Sequence, residues 1–230
     1  PEGISPKPFI TGNIILHILN SLLVLLLIYQ LTGRNIIASL LVALIFAVHP
    51  MHVESVAWIA ERKDVLYSFF FLSGLITYVL FRRNGNRKYF WLIATFVFFV
   101  LSCLSKAAAV VFPVILLLMN FWFEYSEEKS AVDVLKNALS FKNLLTLVPF
   151  LVVSVFFGIM AYRIQNNQDF AGMLPAVNNP TDVVNTVLPL NIFQKIQVAS
   201  YGFIMYIIKF FVPAGLLAFY PYPELSEFAG

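Results

Sequence analysis

Long apolar runs alternate with short polar breaks along the chain. Seven runs have the length and apolarity of candidate membrane spans, at about residues 11–31, 36–48, 65–81, 89–104, 107–122, 144–162 and 198–217. Thr32-Gly33-Arg34-Asn35 makes a tight polar turn after the first. The second is short and stops at His49-Pro50, because a proline disfavours helix in the residue before it. The fourth and fifth are separated only by Ser105-Lys106 and form a helical hairpin. The pattern predicts an all-α fold, a polytopic transmembrane bundle. It contains no internal repeat and no low-complexity tract.

Composition strengthens this reading. The chain is 60% hydrophobic and 12% charged, with a mean hydropathy of +0.84. A soluble domain carries about 25% charged residues. The net charge of +3 is small, and most basic residues sit in short loops, which reads as membrane topology and speaks against a nucleic-acid partner. The basic loop at residues 82–88 is expected to be cytoplasmic. Alternation then puts Arg34 and residues 123–141 on the cytoplasmic side, the latter as a surface helix or solvated loop. Residues 49–64, Lys106 and residues 163–191 fall on the outer side. The single Cys103 lies in an apolar run and is expected to pack there. The polar stub at Pro1 and the aromatic, Pro-rich segment before Gly230 suggest an internal fragment of a longer protein.

The segment His49-Pro50-Met51-His52-Val53-Glu54-Ser55-Val56-Ala57-Trp58-Ile59-Ala60-Glu61-Arg62-Lys63-Asp64 holds seven ionisable side chains between two apolar runs. Ionisable groups at membrane depth usually mark a site. As a helix, residues 50–64 would be amphipathic and lie on the outer leaflet, with Met51, Ser55, Trp58 and Arg62 on one face. Arg62 and Lys63 suit a phosphate, Arg as a fork and Lys as a point charge. Glu54 suits a base toward a hydroxyl, or a ligand for a metal or a sugar hydroxyl. His49 and His52 are three apart, a spacing compatible with metal ligation but not diagnostic of it. The alternative is ordinary interface chemistry, in which His49 ends a helix, Glu61 and Lys63 are solvated and Asp64 caps the next helix.

Other polar groups interrupt the apolar runs. Lys106 at the outer hairpin tip suits an anionic lipid phosphate, or snorkels to headgroups. Lys209 lies within the seventh run and should face a cavity or a partner. Arg163 follows the sixth run and is a similar candidate. His17 and Asn20 share one face of the first run and read as helix–helix hydrogen bonds. There is no Gly-rich nucleotide loop, Walker lysine or zinc-type Cys cluster.

The run from His49 to Asp64, followed by Val65-Leu66-Tyr67-Ser68-Phe69-Phe70-Phe71-Leu72, resembles the signature of the transmembrane and tetratricopeptide-repeat-containing O-mannosyltransferases and their bacterial relatives. Supporting matches are Asn13-Ile14-Ile15-Leu16-His17-Ile18-Leu19-Asn20, Leu104-Ser105-Lys106 and Ala218-Phe219-Tyr220-Pro221-Tyr222. The resemblance implies a GT-C-type membrane fold and inverting transfer of a sugar from a polyprenyl- or dolichyl-phosphate carrier. It implies a hydroxyl acceptor, Ser or Thr in the animal members, and a repeat domain after the membrane part. It also implies a catalytic acid in a first outer loop. The chain departs from the pattern there, because no matching acidic motif precedes the first run.

The expectation is therefore a partial transmembrane domain over residues 1–230, with the first span, its loop and the repeat domain outside it. Glu54 is assigned a supporting catalytic role, with the base expected upstream. His49, His52, Arg62, Lys63, Asp64, Lys106 and Arg163 are assigned to substrate. The donor is a lipid-linked sugar, no metal ligand is assigned, and a divalent metal is left open. Membrane lipid, the donor and a protein or glycan acceptor are the expected partners. Compact loops and the absence of glycosylation sequons point to a bacterial inner membrane, with the endoplasmic reticulum as the alternative. Competing functions are a transporter or lipid-handling protein, and a non-catalytic anchor for a repeat domain.

Overall fold

The computed structural model describes residues 7–83, 87–125, 130–166 and 192–213, and all its regular structure is helical. In chain order the helices are α1 (Lys7–Leu31), α2 (Ile36–Val48), α3 (Val53–Ala57), α4 (Arg62–Arg83), α5 (Lys88–Ser105), α6 (Phe112–Glu124), α7 (Ala131–Ala138), α8 (Phe141–Asn166) and α9 (Ile192–Phe211). Short 3-10 turns at Pro50–His52, Ile59–Glu61 and Ala107–Val111 join them. Two compact units divide the chain at Gln168, and α9 belongs to the second.

The boundaries follow local chemistry. Gly33 and Arg34 both take positive φ, at 65° and 74°, which reverses the chain between α1 and α2. Asn35 then caps α2, its side-chain oxygen accepting from the Ala38 N–H at 3.1 Å. His49 is forced to extended backbone ahead of Pro50, at φ −65° and ψ 125°, and α2 ends there. Ser130 caps α7 through the Val132 N–H.

Five helical segments of the described residues are long and apolar enough to cross a membrane, and six if α2 and the 50–57 segment, bent by 50°, form one broken span. Among the described residues the seventh expected span contributes an apolar helical stretch of Ala199–Phe211, shorter than a crossing; residues 214–217 lie outside them. This also revises the reading of Lys209. It sits in the last turn of α9, where a cation meets the partial negative charge of the helix C-terminus, rather than at mid-span.

The core of the first unit is aromatic and joins α4, α5, α6 and α8. Phe99, Phe112 and Phe150 are fully buried, with ring centroids 5.1 to 6.1 Å apart. Cys103 is buried in the same core. Gly74 of α4 faces Phe112, and a Cβ there would come within 2.9 Å of the ring, so glycine is what lets α4 approach it. Polar contacts pin both ends of the bundle. At one end Arg82 donates to Asn143 Oδ1 at 2.9 Å and to Glu124 Oε1 at 2.8 Å, and its guanidinium lies 5.5 Å from the Phe123 ring. Arg83 donates to the Gln30 carbonyl, and Trp122 to that of Leu31 at 3.3 Å. At the other end Lys106 meets Asp64. These termini pair at two opposite ends, as alternation of the spans expects, with Arg82 and Arg83 at one and Asp64 with Lys106 at the other.

Candidate functional site

Helix α2 has 13 residues and spans only ~20 Å, short of a hydrocarbon layer of ~30 Å. The chain between α2 and α4 therefore leaves the helix near membrane depth, where exposed carbonyls need partners. A polar stripe on α1 supplies them. Asn13 Nδ2 donates to the carbonyls of Val56 at 3.4 Å and Trp58 at 3.2 Å. His17 Nε2 lies 3.0 Å from the Ala47 carbonyl, and Asn20 Nδ2 donates to Val65 at 2.9 Å. These residues recur at spacings of four and three and so share a face of α1.

This stripe explains a departure from the expected amphipathic helix. Residues 50–64 do not form one helix. Trp58 is extended, at φ −94° and ψ 125°, and separates α3 from the next turn while its carbonyl bonds to Asn13. Arg62, Lys63 and Asp64 open the transmembrane helix α4 instead of closing a surface helix.

Beneath this broken segment lies a partly open cavity of about 100 Å³ lined by His17, Asn20, Phe46, His52, Ser55, Asp64, Val65, Tyr67 and Ser68. One water needs only ~10–15 Å³ on this measure, so the space admits a larger polar group. His52 packs 4.5 Å from the Phe46 ring and 5.4 Å from His17. Asp64 pairs with Lys106 Nζ at 2.5 Å, with side-chain exposures of 22% and 35%, which joins the start of α4 to the hairpin tip. Among the described residues no group of three or more His, Cys, Asp or Glu side chains is placed to hold a metal ion.

The structure gathers four expected site residues here. His52 and Asp64 line the cavity, Lys106 pairs with Asp64, and His49 caps the turn, its Nδ1 accepting from the Met51 N–H, with its ring 6.2 Å from His52. Arg62 lies beside α1, 5.9 Å from the Phe9 ring and against Gly12, where a Cβ would collide with its guanidinium. Lys63 is exposed and pairs with Glu61 at 3.3 Å. Glu54 is exposed in the first turn of α3 and does not line the cavity. Arg163 is exposed in the last turn of α8 and is not a lining residue either. Asn13, Ser55, Tyr67 and Ser68 are not among the expected site residues. The signal available for the last two was their place three and four residues after Asp64, on its helical face. Ala218 to Tyr222 lies outside the described residues.

Burial, then the nearby His17 and then His49, lowers the His52 pKa below its ordinary 6.5. His52 is thus neutral at pH 7, able to donate from one ring nitrogen and accept at the other. In the unfolded chain the imidazole takes up its proton near pH 6.5. The unfolded state then binds more protons than the folded one, so stability falls as pH drops below 6.5. Thermal unfolding of the detergent-solubilised protein should show this loss as pH falls below 6.5. His52→Gln should show a shallower slope there, and equal slopes would contradict the assignment.

Five helical segments of the described residues that are long and apolar enough to cross a membrane define an integral membrane protein. The chain belongs to the dolichyl-phosphate-mannose-protein mannosyltransferase family, whose model matches residues 10–162, about two thirds of its length. That match contains every cavity-lining residue and Lys106. The chain is 40% identical over 76 residues to the Protein O-mannosyl-transferase TMTC1 of Homo sapiens, covering 33% of this chain and 9% of that protein. It is 33% identical over 121 residues to the human Protein O-mannosyl-transferase TMTC4, covering 45% of this chain and 16% of that one. The human Protein O-mannosyl-transferase TMTC3 is 36% identical over 63 residues, covering 27% and 7%. The matched stretches thus span less than a fifth of each relative. No solved structure matches the chain.

Proposed function

We propose that this chain is the membrane part of a mannosyltransferase that moves mannose from a polyprenyl- or dolichyl-phosphate carrier to a protein hydroxyl on the outer side of the membrane. The observation that supports this reading is the Asp64–Lys106 pair beside a polar cavity at one end of a bundle of this family. In the reaction the bond from the anomeric carbon to the carrier phosphate breaks, and its electron pair leaves with the phosphate. The acceptor oxygen bonds to that carbon and loses its proton to a base. Charge grows on the departing phosphate, so a cation placed there lowers the barrier. Lys106 is the cation assigned to it, exchanging Asp64 for phosphate as the donor enters. Arg62, Lys63 and Arg163 are assigned to attract and seat the anionic headgroup. Glu54 is assigned to the acceptor hydroxyl, with His49 and His52 orienting the polar ends of the substrates. The membrane is proposed to be a bacterial inner membrane, with the cavity on its periplasmic side.

The test is transfer by purified full-length protein from a panel of radiolabelled polyprenyl-phosphate sugars, with Glu54→Gln beside it. The expected result is transfer from the mannosyl donor, lowered about 100-fold in Glu54→Gln without loss of expression. No transfer from any donor by folded protein would move the assignment to a carrier or an anchor. Full transfer by Glu54→Gln would remove Glu54 from the mechanism.

A further inference from the structure

Asn20 is 1% exposed and lines the cavity, yet its Oδ1 has no hydrogen-bond partner among the described residues. Its orientation is fixed chemically. The Val65 carbonyl 2.9 Å away can only accept, so the amide nitrogen must face it and the oxygen must point elsewhere. A buried acceptor left unpaired costs stability unless a ligand donates to it. The remaining polar lining residues are His17, His52, Ser55, Asp64, Tyr67 and Ser68, each able to accept from or donate to a hydroxyl. One acceptor Ser or Thr would satisfy one or two of these groups, whereas a sugar ring carries a hydroxyl for several. Asp64 stands on the cavity wall and also holds Lys106, so a sugar seated there would place its carrier phosphate toward that lysine.

We propose that this cavity is the subsite for the transferred sugar and that Asn20 Oδ1 accepts a hydrogen bond from one of its ring hydroxyls, making Asn20 a specificity-determining residue. The proposal rests on the transferase reading above and adds to it the part of the substrate the cavity takes. The side chain has two separable duties, since Nδ2 braces the start of α4 while Oδ1 reads the sugar.

The test is equilibrium binding to the full-length protein in detergent, with polyprenyl-phosphate mannose and bare polyprenyl phosphate as probes. Wild type should bind the mannosyl lipid about 10-fold more tightly than the bare lipid, and Asn20→Leu should bind the two alike. Monodeoxy mannosyl lipids on wild-type protein supply a measurement that needs no variant. One deoxy position should lose most of that preference, while the others keep it. Equal binding of both lipids by wild type, with the bare lipid still bound, would overturn the sugar subsite and leave the transferase reading standing. If Asn20→Leu weakens an acceptor Ser/Thr peptide while the sugar preference persists, the hydroxyl read is the acceptor's and the proposal is overturned. Failure to bind either lipid would overturn the transferase reading and this proposal with it.

Discussion

Lys106→Met is expected to lower mannosyl transfer by the full-length protein about 100- to 1,000-fold, the range seen when one donor to a developing oxyanion is removed. Methionine keeps an unbranched apolar stem, so the hairpin tip loses its charge and little of its volume. Asp64 retains 22% of its side-chain exposure and can be solvated, so the folded bundle should persist. The two roles of Lys106 can be separated. If it served only to neutralise Asp64, the double variant Lys106→Met with Asp64→Asn would regain activity. If it meets the donor phosphate, the double variant stays inactive and the loss falls mainly on kcat. Steady-state transfer, with thermal unfolding as a folding control, decides between them.

The largest effect on stability is expected at the opposite end. Arg82→Met should destabilise the protein by about 2–4 kcal/mol, because it removes an ion pair with the half-buried Glu124 carboxylate and the donor to Asn143. Three helices, α4, α6 and α8, meet at this one guanidinium. Arg82→Lys should rescue little, since an ammonium lacks the planar fork that serves two partners while lying over Phe123. Unfolding in graded SDS or by heat would measure this, and an unchanged midpoint would contradict the clamp. Glu124→Gln should cost less, because the amide can still accept from Arg82.

Much of the fold could be read from apolar run length, since the physics of a bilayer leaves few alternatives to helices. The turn at Gly33 and Arg34, the stop before Pro50 and the hairpin break at Lys106 stand where their residues imply. The broken segment was not legible. Residues 50–64 carry an amphipathic helical pattern, and only the tertiary bond from Asn13 to the Trp58 carbonyl explains why the helix is interrupted. Lys209 read as a mid-span charge because apolar residues continue beyond it, whereas α9 ends at Phe211. The site was legible in part for a related reason. Charged groups announce themselves in an apolar sequence, so His52, Asp64 and Lys106 stood out. Which of them converge depends on how α1, α4 and the hairpin tip pack. Ser68 gives no comparable signal within its apolar run, and Asn20, read as a helix–helix hydrogen bond, also lines the cavity.

The polar cavity beside Lys106 is the proposed seat of the lipid-linked sugar. The most direct measurement is photo-cross-linking of the full-length protein with a polyprenyl-phosphate mannose that carries a photoreactive group on the sugar, mapped by peptide mass spectrometry. The account predicts adducts on residues 46–68 and at Asn20, suppressed by excess unmodified donor. Competed adducts confined to the opposite end of the bundle, around Arg82 and Asn143, would contradict it.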